Sequence, residues 1–311
     1  MVSLPSSATP PCALSIAGSD SGGGAGIQAD LKAFARCGVH GMTAITAITA
    51  QNTLAVRSVQ EVPPAAVIDQ VRAVVEDIGV DAVKIGMLGT AATIEAVDRA
   101  LDLVGDAPVV LDPVMVAESG AVLLDEGAQE ELRSRLVARA AVITPNLAEA
   151  RALVGEAGAA TADRREGAGE SSAGKEVTEV EQDDEEQAEV ERLARSLHEL
   201  GPEVVVITGG HRRDVSDVFF DGVRLATIPG ERHPDGAAHG SGCTHSSALA
   251  AHLALGLEPL EAARRARVIA GAAVRDGLRG VGSGAGPVDA LGIRRRRGPR
   301  AAVDPPRSAL T

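Results

Sequence analysis

Two glycine-rich stretches have the make-up of ligand-binding turns, and the second contains a cysteine. The first reads Ala17-Gly18-Ser19-Asp20-Ser21-Gly22-Gly23-Gly24-Ala25-Gly26-Ile27-Gln28-Ala29-Asp30 and joins an apolar run to a segment of helical period. Glycines let the backbone approach a ligand closely, and a helix start offers amide donors. The loop lacks the Gly-Lys-Ser/Thr ending of a Walker loop, and a glycine-rich turn with no ligand is the competing reading. The second stretch, His239-Gly240-Ser241-Gly242-Cys243-Thr244, precedes the apolar Ala248 to Leu255 and so opens a predicted helix. Its amides and the helix dipole suit the charge that develops on a transferred phosphoryl group.

The same field predicts a Cys243 thiol pKa below the free value of roughly 8.5. A thiolate there would accept a proton from an attacking hydroxyl; the plain alternative is a small buried hydrophobe. Cys12 and Cys37 fall on a strand and a helix end and keep that plain reading. Phosphoryl transfer also needs a divalent cation held by one or two carboxylates. Asp112, Asn146 and Glu149 follow strand ends and fit that need, against the alternative of an N-cap and a solvated first-turn charge.

These residues need a scaffold that gathers strand ends. Short apolar runs at Ala13 to Ala17, Ala82 to Gly86, Val109 to Asp112, Ala141 to Thr144 and Val204 to Thr208 alternate with helical segments. That pattern predicts an α/β fold with a mostly parallel central sheet and helices on both faces, its ligands beyond the carboxyl ends of the strands. Runs at Val215 to Phe220 and Val223 to Ile228 predict a late hairpin, and the last helices are expected to begin near Gly242 and Pro259.

The net charge of −13 argues against nucleic acid or an anionic membrane as a partner, and no run of 18 or more apolar residues predicts a membrane span. A cytoplasmic protein is expected. Its three cysteines lack the spacing of a disulfide framework or zinc site. Glu156 to Glu191 holds 13 acidic and 3 basic residues, which reads as a solvated, disordered insertion at about 156–190. Residues 293–311 hold 6 Arg and form an Arg-rich tail. Only 3 lysines stand against 27 arginines, as a salt-loving or a GC-rich source would produce.

The first loop with its following helix, Ala17 to Ala35, resembles the hydroxymethylpyrimidine/phosphomethylpyrimidine kinases of thiamine biosynthesis. The resemblance continues in Ala50-Gln51-Asn52-Thr53, Lys84-Ile85-Gly86-Met87-Leu88, Leu111-Asp112-Pro113-Val114-Met115, Asn146 to Glu149, Thr208-Gly209-Gly210-His211, Gly240 to Thr244 and Gly284-Ala285-Gly286-Pro287-Val288. It implies a ribokinase-like fold over residues 1–292 as a single kinase domain, ATP and Mg²⁺ as cofactors, and a homodimer. It further implies that Gly18, Asp30, Gln51 and Met87 receive the pyrimidine, and that Asn146, Thr208, Gly210 and Ser241 lie along ATP. Asp112 and Glu149 would organise Mg²⁺, with Cys243 as base and Gly240 and Gly242 forming the anion hole. Ala238 and Ser241 stand where threonines are more usual in this pattern. A pyridoxal/pyridoxine kinase is the nearest rival, and a non-catalytic pyrimidine- or nucleotide-binding regulator the rival of another class.

Overall fold

A computed structural model describes residues 9–117, 120–156, 179–210, 215–234 and 236–293. One nine-stranded sheet runs through it in the order β3-β2-β1-β4-β5-β6-β7-β8-β9. The strands are β1 (Cys12–Asp20), β2 (His40–Gln51), β3 (Val56–Glu61), β4 (Ala82–Ile85), β5 (Val109–Leu111), β6 (Val142–Ile143), β7 (Val204–Ile207), β8 (Asp217–Phe220) and β9 (Leu225–Ile228). From β2 to β7 every pairing is parallel, while β3, β8 and β9 pair antiparallel at the two edges. The late hairpin is therefore β8–β9, formed from the two short runs that predict it.

Helices α1 (Gly26–Cys37), α2 (Pro64–Asp77), α3 (Ala91–Leu101), α4 (Glu126–Arg135), α5 (Leu147–Leu153), α6 (Glu179–His198), α7 (Ser241–Ala254) and α8 (Pro259–Arg275) cover both faces. Alternation along the strands sorts the core into two layers. Leu14, Ile16, Val109, Leu111 and Ile143 meet α2 to α6 through residues such as Val67, Ile94, Leu132 and Leu193. Ala13, Val110, Val142, Val204 and Val206 meet α1, α7 and α8 through Phe34, Leu249 and Ala266. Strands buried on both faces read as unbroken apolar runs, which is why β1, β4, β5, β6 and β7 announce themselves in the sequence. The second layer is built from Ala248, Ala250, Ala251, Ala262, Ala263 and Ala266, so α7 and α8 lie close to each other and to the sheet.

Two regions depart from expectation. β2 and β3 escape the apolar-run criterion because β2 mixes Thr, Ala and Gly and is only partly buried, and β3 lies at the open edge of the sheet with five of its six residues exposed. The acidic insertion is shorter than its composition predicts, because helix α6 already begins at Glu179. Val190, Leu193, Ala194 and Leu197 form a buried helical stripe that composition averaging hides. Arg151 and Arg192 then tie α5 and its C-terminal end to α6 through Glu189 and Glu156. Residues 157–178 and the Arg-rich tail from Arg294 onward lie outside the described residues.

β1 pairs with β2 on one side and β4 on the other. Chain order reverses there, which opens a crevice at the carboxyl ends of the strands.

Candidate active site

Asp20 closes β1 and organises the first glycine loop. Its carboxylate accepts hydrogen bonds from the amides of Gly22 (2.8 Å), Gly24 (2.9 Å) and Ala25 (2.8 Å). Burial works against its charge, but His239 and the Ala25 and Gly22 amides hold the carboxyl below its ordinary range. The loop is thereby fixed against the end of β2: Ser21 Oγ donates to the Gln51 carbonyl at 2.7 Å, and the Gln51 amide donates back to Ser21 Oγ at 2.8 Å. Gly18 donates to the Met87 carbonyl at 3.1 Å, and a Cβ on Gly18 would stand 3.2 Å from Met87 Cε. Gly18, Gln51 and Met87 thus share one side of the crevice.

Helix α7 opens on Gly240 in the left-handed conformation (φ 87°), where a side chain would run into the Gly24 carbonyl. The Ser241 amide is taken by Ala238 O at 2.9 Å, which leaves the Gly242 and Cys243 amides at the helix start for an anion. A Cβ on Gly242 would meet open space.

Cys243 stands differently from the sequence-based expectation. Its thiol is pushed up to about 12, first by burial and then by the charges of Asp30 and Asp112, against the opposing effects of Lys84 and the Gly26 amide. The residue is only half-buried, but packing around its sulfur and the neighbouring acids outweigh the helix dipole.

Asp30 lies deeper than a contact residue of the loop motif would. It is fully buried, and its carboxylate accepts from Ser15 Oγ (2.6 Å), Ser247 Oγ (2.7 Å) and Lys84 Nζ (3.0 and 3.1 Å). It therefore braces the floor of the crevice, both carboxylate oxygens already bonded to protein groups. Lys84 reaches on to Asp112 at 4.0 Å, and Asp112 accepts from Ser246 Oγ at 2.9 Å. Burial opposes the Lys84 charge, but Asp30, Cys243 and Asp112 raise its pKa and keep it an ammonium. Lys84 is the functional side chain that motif reading left without a role. Its signal is a lone charge within the buried strand Ala82–Ile85.

On the other side, Asn146 caps α5. Its Oδ1 accepts the Glu149 amide at 3.0 Å while Glu149 Oε2 accepts the Asn146 amide at 2.9 Å, a reciprocal capping box. Burial and the nearby Asp112 charge push Glu149 up to about 8, against the Asn146 and Met115 amides. Asp112 is raised as well, by burial above all. Two carboxylates that crowd each other in a buried cleft are a donor set that a divalent cation relieves. Among the described residues no group of three or more His, Cys, Asp or Glu is gathered for a metal. An ion here would complete its shell with phosphate oxygens and water, as Mg²⁺ prefers.

Thr208 follows β7 and donates its amide to Pro145 O at 2.9 Å, beside Asn146. Gly209 has no room for a side chain beneath Val215 and Ser216, and its amide donates to the buried Asp217 at 2.9 Å. Gly210 faces open space. The sequence-chosen residues thus gather at one sheet edge, Gly18, Gln51 and Met87 toward β1 and β2, Asn146, Thr208 and Gly210 toward β6 and β7, with Cys243 between them and Asp30 below.

The family model described as phosphomethylpyrimidine kinase matches residues 20–180 and 174–289. The chain belongs to the phosphomethylpyrimidine kinase family. It is 43% identical over 279 residues to the hydroxymethylpyrimidine/phosphomethylpyrimidine kinase of Rhizobium meliloti, covering 89% of this chain and 95% of that one. It is 42% identical to the thiamine biosynthesis bifunctional protein ThiED of Geobacter sulfurreducens, where 89% of this chain matches 51% of the longer relative. Among solved structures, the ADP complex of Bacillus subtilis pyridoxal kinase aligns at TM-score 0.76 and 34% identity, covering 92% of this chain and 99% of that one. The phosphomethylpyrimidine kinase of Clostridium difficile aligns at TM-score 0.65 and 35% identity, covering 83% and 96%. The ribokinase-like α/β fold and an ATP-dependent kinase activity in thiamine biosynthesis follow from this membership. No described helix is long and apolar enough to cross a membrane.

Proposed function

We propose that this chain phosphorylates the hydroxymethyl group of 4-amino-5-hydroxymethyl-2-methylpyrimidine with ATP, and then the monophosphate to the diphosphate, in one cleft. The observation that carries the reading is the order of groups along the crevice: Gly18, Gln51 and Met87, then the open start of α7, then Asp112, Asn146, Glu149 and Thr208. Gln51 supplies an amide able to pair with both an exocyclic amine and a ring nitrogen. The Gly242 and Cys243 amides, with Gly240 setting their direction, would bind charge developing on the moving phosphoryl group. Asn146, Thr208, Gly210 and Ser241 border the space for ATP, and Asp112 and Glu149 would hold Mg²⁺, which neutralises phosphate charge when bound.

Cys243, at the open start of α7, is the side chain assigned to receive the hydroxyl proton. The Cys243 thiol is protonated at neutral pH, so acting as a base requires its ionisation within the ternary complex. Lys84 and the Gly26 amide favour that ionisation, while Asp30 and Asp112 oppose it. In a loose phosphoryl-transfer transition state the proton moves late, so a base of this kind is needed only as the new P–O bond forms.

One observation favours a second reading. The structural neighbours include pyridoxal kinases, one solved with pyridoxal bound, at TM-score 0.75 and 30% identity. A single cytoplasmic domain acting as a homodimer belongs to the main reading. The apolar Ile48, Leu54 and Val59, exposed on the β2–β3 edge, offer a surface for the second copy. ATP consumption with product identification, on the pyrimidine alcohol, its monophosphate and pyridoxal, tests the assignment. Successive mono- and diphosphate formation supports it; pyridoxal phosphate alone promotes the second reading, and no turnover of any substrate leaves a binding protein.

A further inference from the structure

The Cys243 turn and the ring-side loop belong to segments more than 200 residues apart, yet phosphoryl transfer needs them in fixed register. One side chain joins them directly. His239 Nε2–H, immediately before the Gly240 turn, donates to Asp20 Oδ2 at 3.0 Å, and Asp20 is the residue on which the loop amides of Gly22, Gly24 and Ala25 converge. The contact is almost closed to solvent, with the side chains 12% and 2% exposed. Glycine makes the approach possible: a Cβ on Gly24 would overlap the His239 ring and touch Pro287, and one on Gly240 would overlap the Gly24 carbonyl.

The backbone of His239 is held as firmly as its ring. The Val288 amide donates to His239 O at 3.0 Å, and the same C-terminal segment sends the Gly284 amide to Thr53 Oγ1 at 3.2 Å, next to the end of β2. Gln51 is tied back to the loop through Ser21. A closed circuit therefore runs from Asp20 through Ser21 and Gln51 to Thr53, Gly284, Val288 and His239, and the His239–Asp20 hydrogen bond is the link that closes it.

We propose that His239 is a positioning residue whose bond to Asp20 latches the phosphate-transfer turn onto the ring-binding loop and so sets the distance between substrate hydroxyl and γ-phosphoryl group. This rests on the kinase reading above. Of the groups that border ATP, Ser241 lies at the latched turn while Asn146, Thr208 and Gly210 lie on separate elements, so opening the latch disturbs alignment more than nucleotide binding. Misplacement of about 1 Å at a reacting centre can cost on the order of 10²-fold in rate.

The test uses the full chain with His239→Ala, His239→Gln, Asp20→Asn, the His239→Ala/Asp20→Asn double variant and the wedge Gly24→Ala. Expected for His239→Ala is a kcat lower by roughly 10- to 100-fold, with KM for ATP within about 2-fold of the parent. His239→Gln, whose amide can still donate to Asp20, should recover at least half of that loss on a logarithmic scale. The double variant should be no slower than the worse single one. Hydrogen–deuterium exchange at residues 22–25 should speed up in His239→Ala and in Gly24→Ala, a readout that needs no turnover. Parental kcat in His239→Ala, additive losses in the double variant, or unchanged exchange at residues 22–25 would each overturn the latch. A parent chain that turns over no pyrimidine counts against the kinase reading, and the exchange data then decide the latch on their own.

Discussion

Helix α7 stands between two buried charge clusters that are built to different standards. Toward β1, β4 and β5, Ser246 and Ser247 donate to Asp112 and Asp30, and Lys84 completes the set with hydrogen bonds of 3.0 and 3.1 Å to Asp30. Toward β8, His245 lies 3.1 Å from Asp217 and Arg267 lies 3.7 Å from it, so the charges are close. Yet Asp217 Oδ2, both His245 ring nitrogens and Arg267 Nε have no aligned hydrogen-bond partner among the described residues. The first cluster lies one turn beyond Cys243 and fixes it. The second holds the Gly209 amide, beside the open Gly210, and against burial His245 and Arg267 still keep the Asp217 carboxyl below its ordinary range, through poorly aligned contacts. The closely bonded set thus lies beneath Cys243, and the loosely bonded one beside Gly210.

The sharpest way to break this comparison is at its centre. Cys243→Ala should lower turnover by roughly 10²- to 10⁴-fold, as loss of a general base does, with ATP affinity nearly unchanged. Steady-state kinetics beside ATP titration calorimetry checks it, and parental turnover removes the base from the mechanism. Next comes stability. Lys84→Met strands the Asp30 carboxylate in the core and should cost about 3–5 kcal/mol in urea unfolding, because a broken buried pair leaves an uncompensated charge. Asp217→Asn keeps an acceptor for Gly209 and should cost only about 1–3 kcal/mol. If Asp217→Asn proved the more damaging of the two, the Asp217 cluster would be the tighter one. Smaller again, Gln51→Ala should lower kcat/KM for the pyrimidine by about 10-fold, one lost hydrogen-bonding partner being worth roughly 1.4 kcal/mol, while pyridoxal turnover changes less.

Much of this arrangement could be read before any coordinates. The apolar runs located β1 and β4 to β7, and residue types at their ends located the crevice, because a sheet buried on both faces leaves only its carboxyl edge for chemistry. Asp30 shows where reading along the chain fails. As part of a glycine loop motif it reads as a ligand contact, and only the fold reveals that the turn of α1 points it inward to Lys84, 54 residues away in sequence. Cys243 fails in a related way. A helix start is visible locally and argues for a lowered thiol pKa, whereas the burial and the two acids that raise it come from separate elements. β3 and the N-terminal turns of α6 were illegible for a third reason: an exposed strand and an acidic helix surface both look like solvated chain.

Glu149 carries the comparison into the pH dependence of stability. Its carboxyl is pushed up to about 8, chiefly by burial and then by Asp112, whereas an unfolded chain ionises it near 4.5. Between those values the unfolded state binds fewer protons than the folded one, so the group subtracts stability as pH rises, by at most about 1.4 kcal/mol per pH unit. The contribution is flat below about 4.5, where both states are protonated, and flat again above about 8, where both are ionised. Glu149→Gln, which keeps an oxygen acceptor for the Asn146 amide, should flatten the decline in unfolding free energy between pH 5 and 8. Adding Mg²⁺ with ATP to the parent should flatten it too, since bound cation favours the ionised carboxylate. A parent whose stability rises through this window, or a variant with an unchanged slope, would place the Glu149 carboxyl among ordinary solvated acids and remove the crowding that makes the site a cation's.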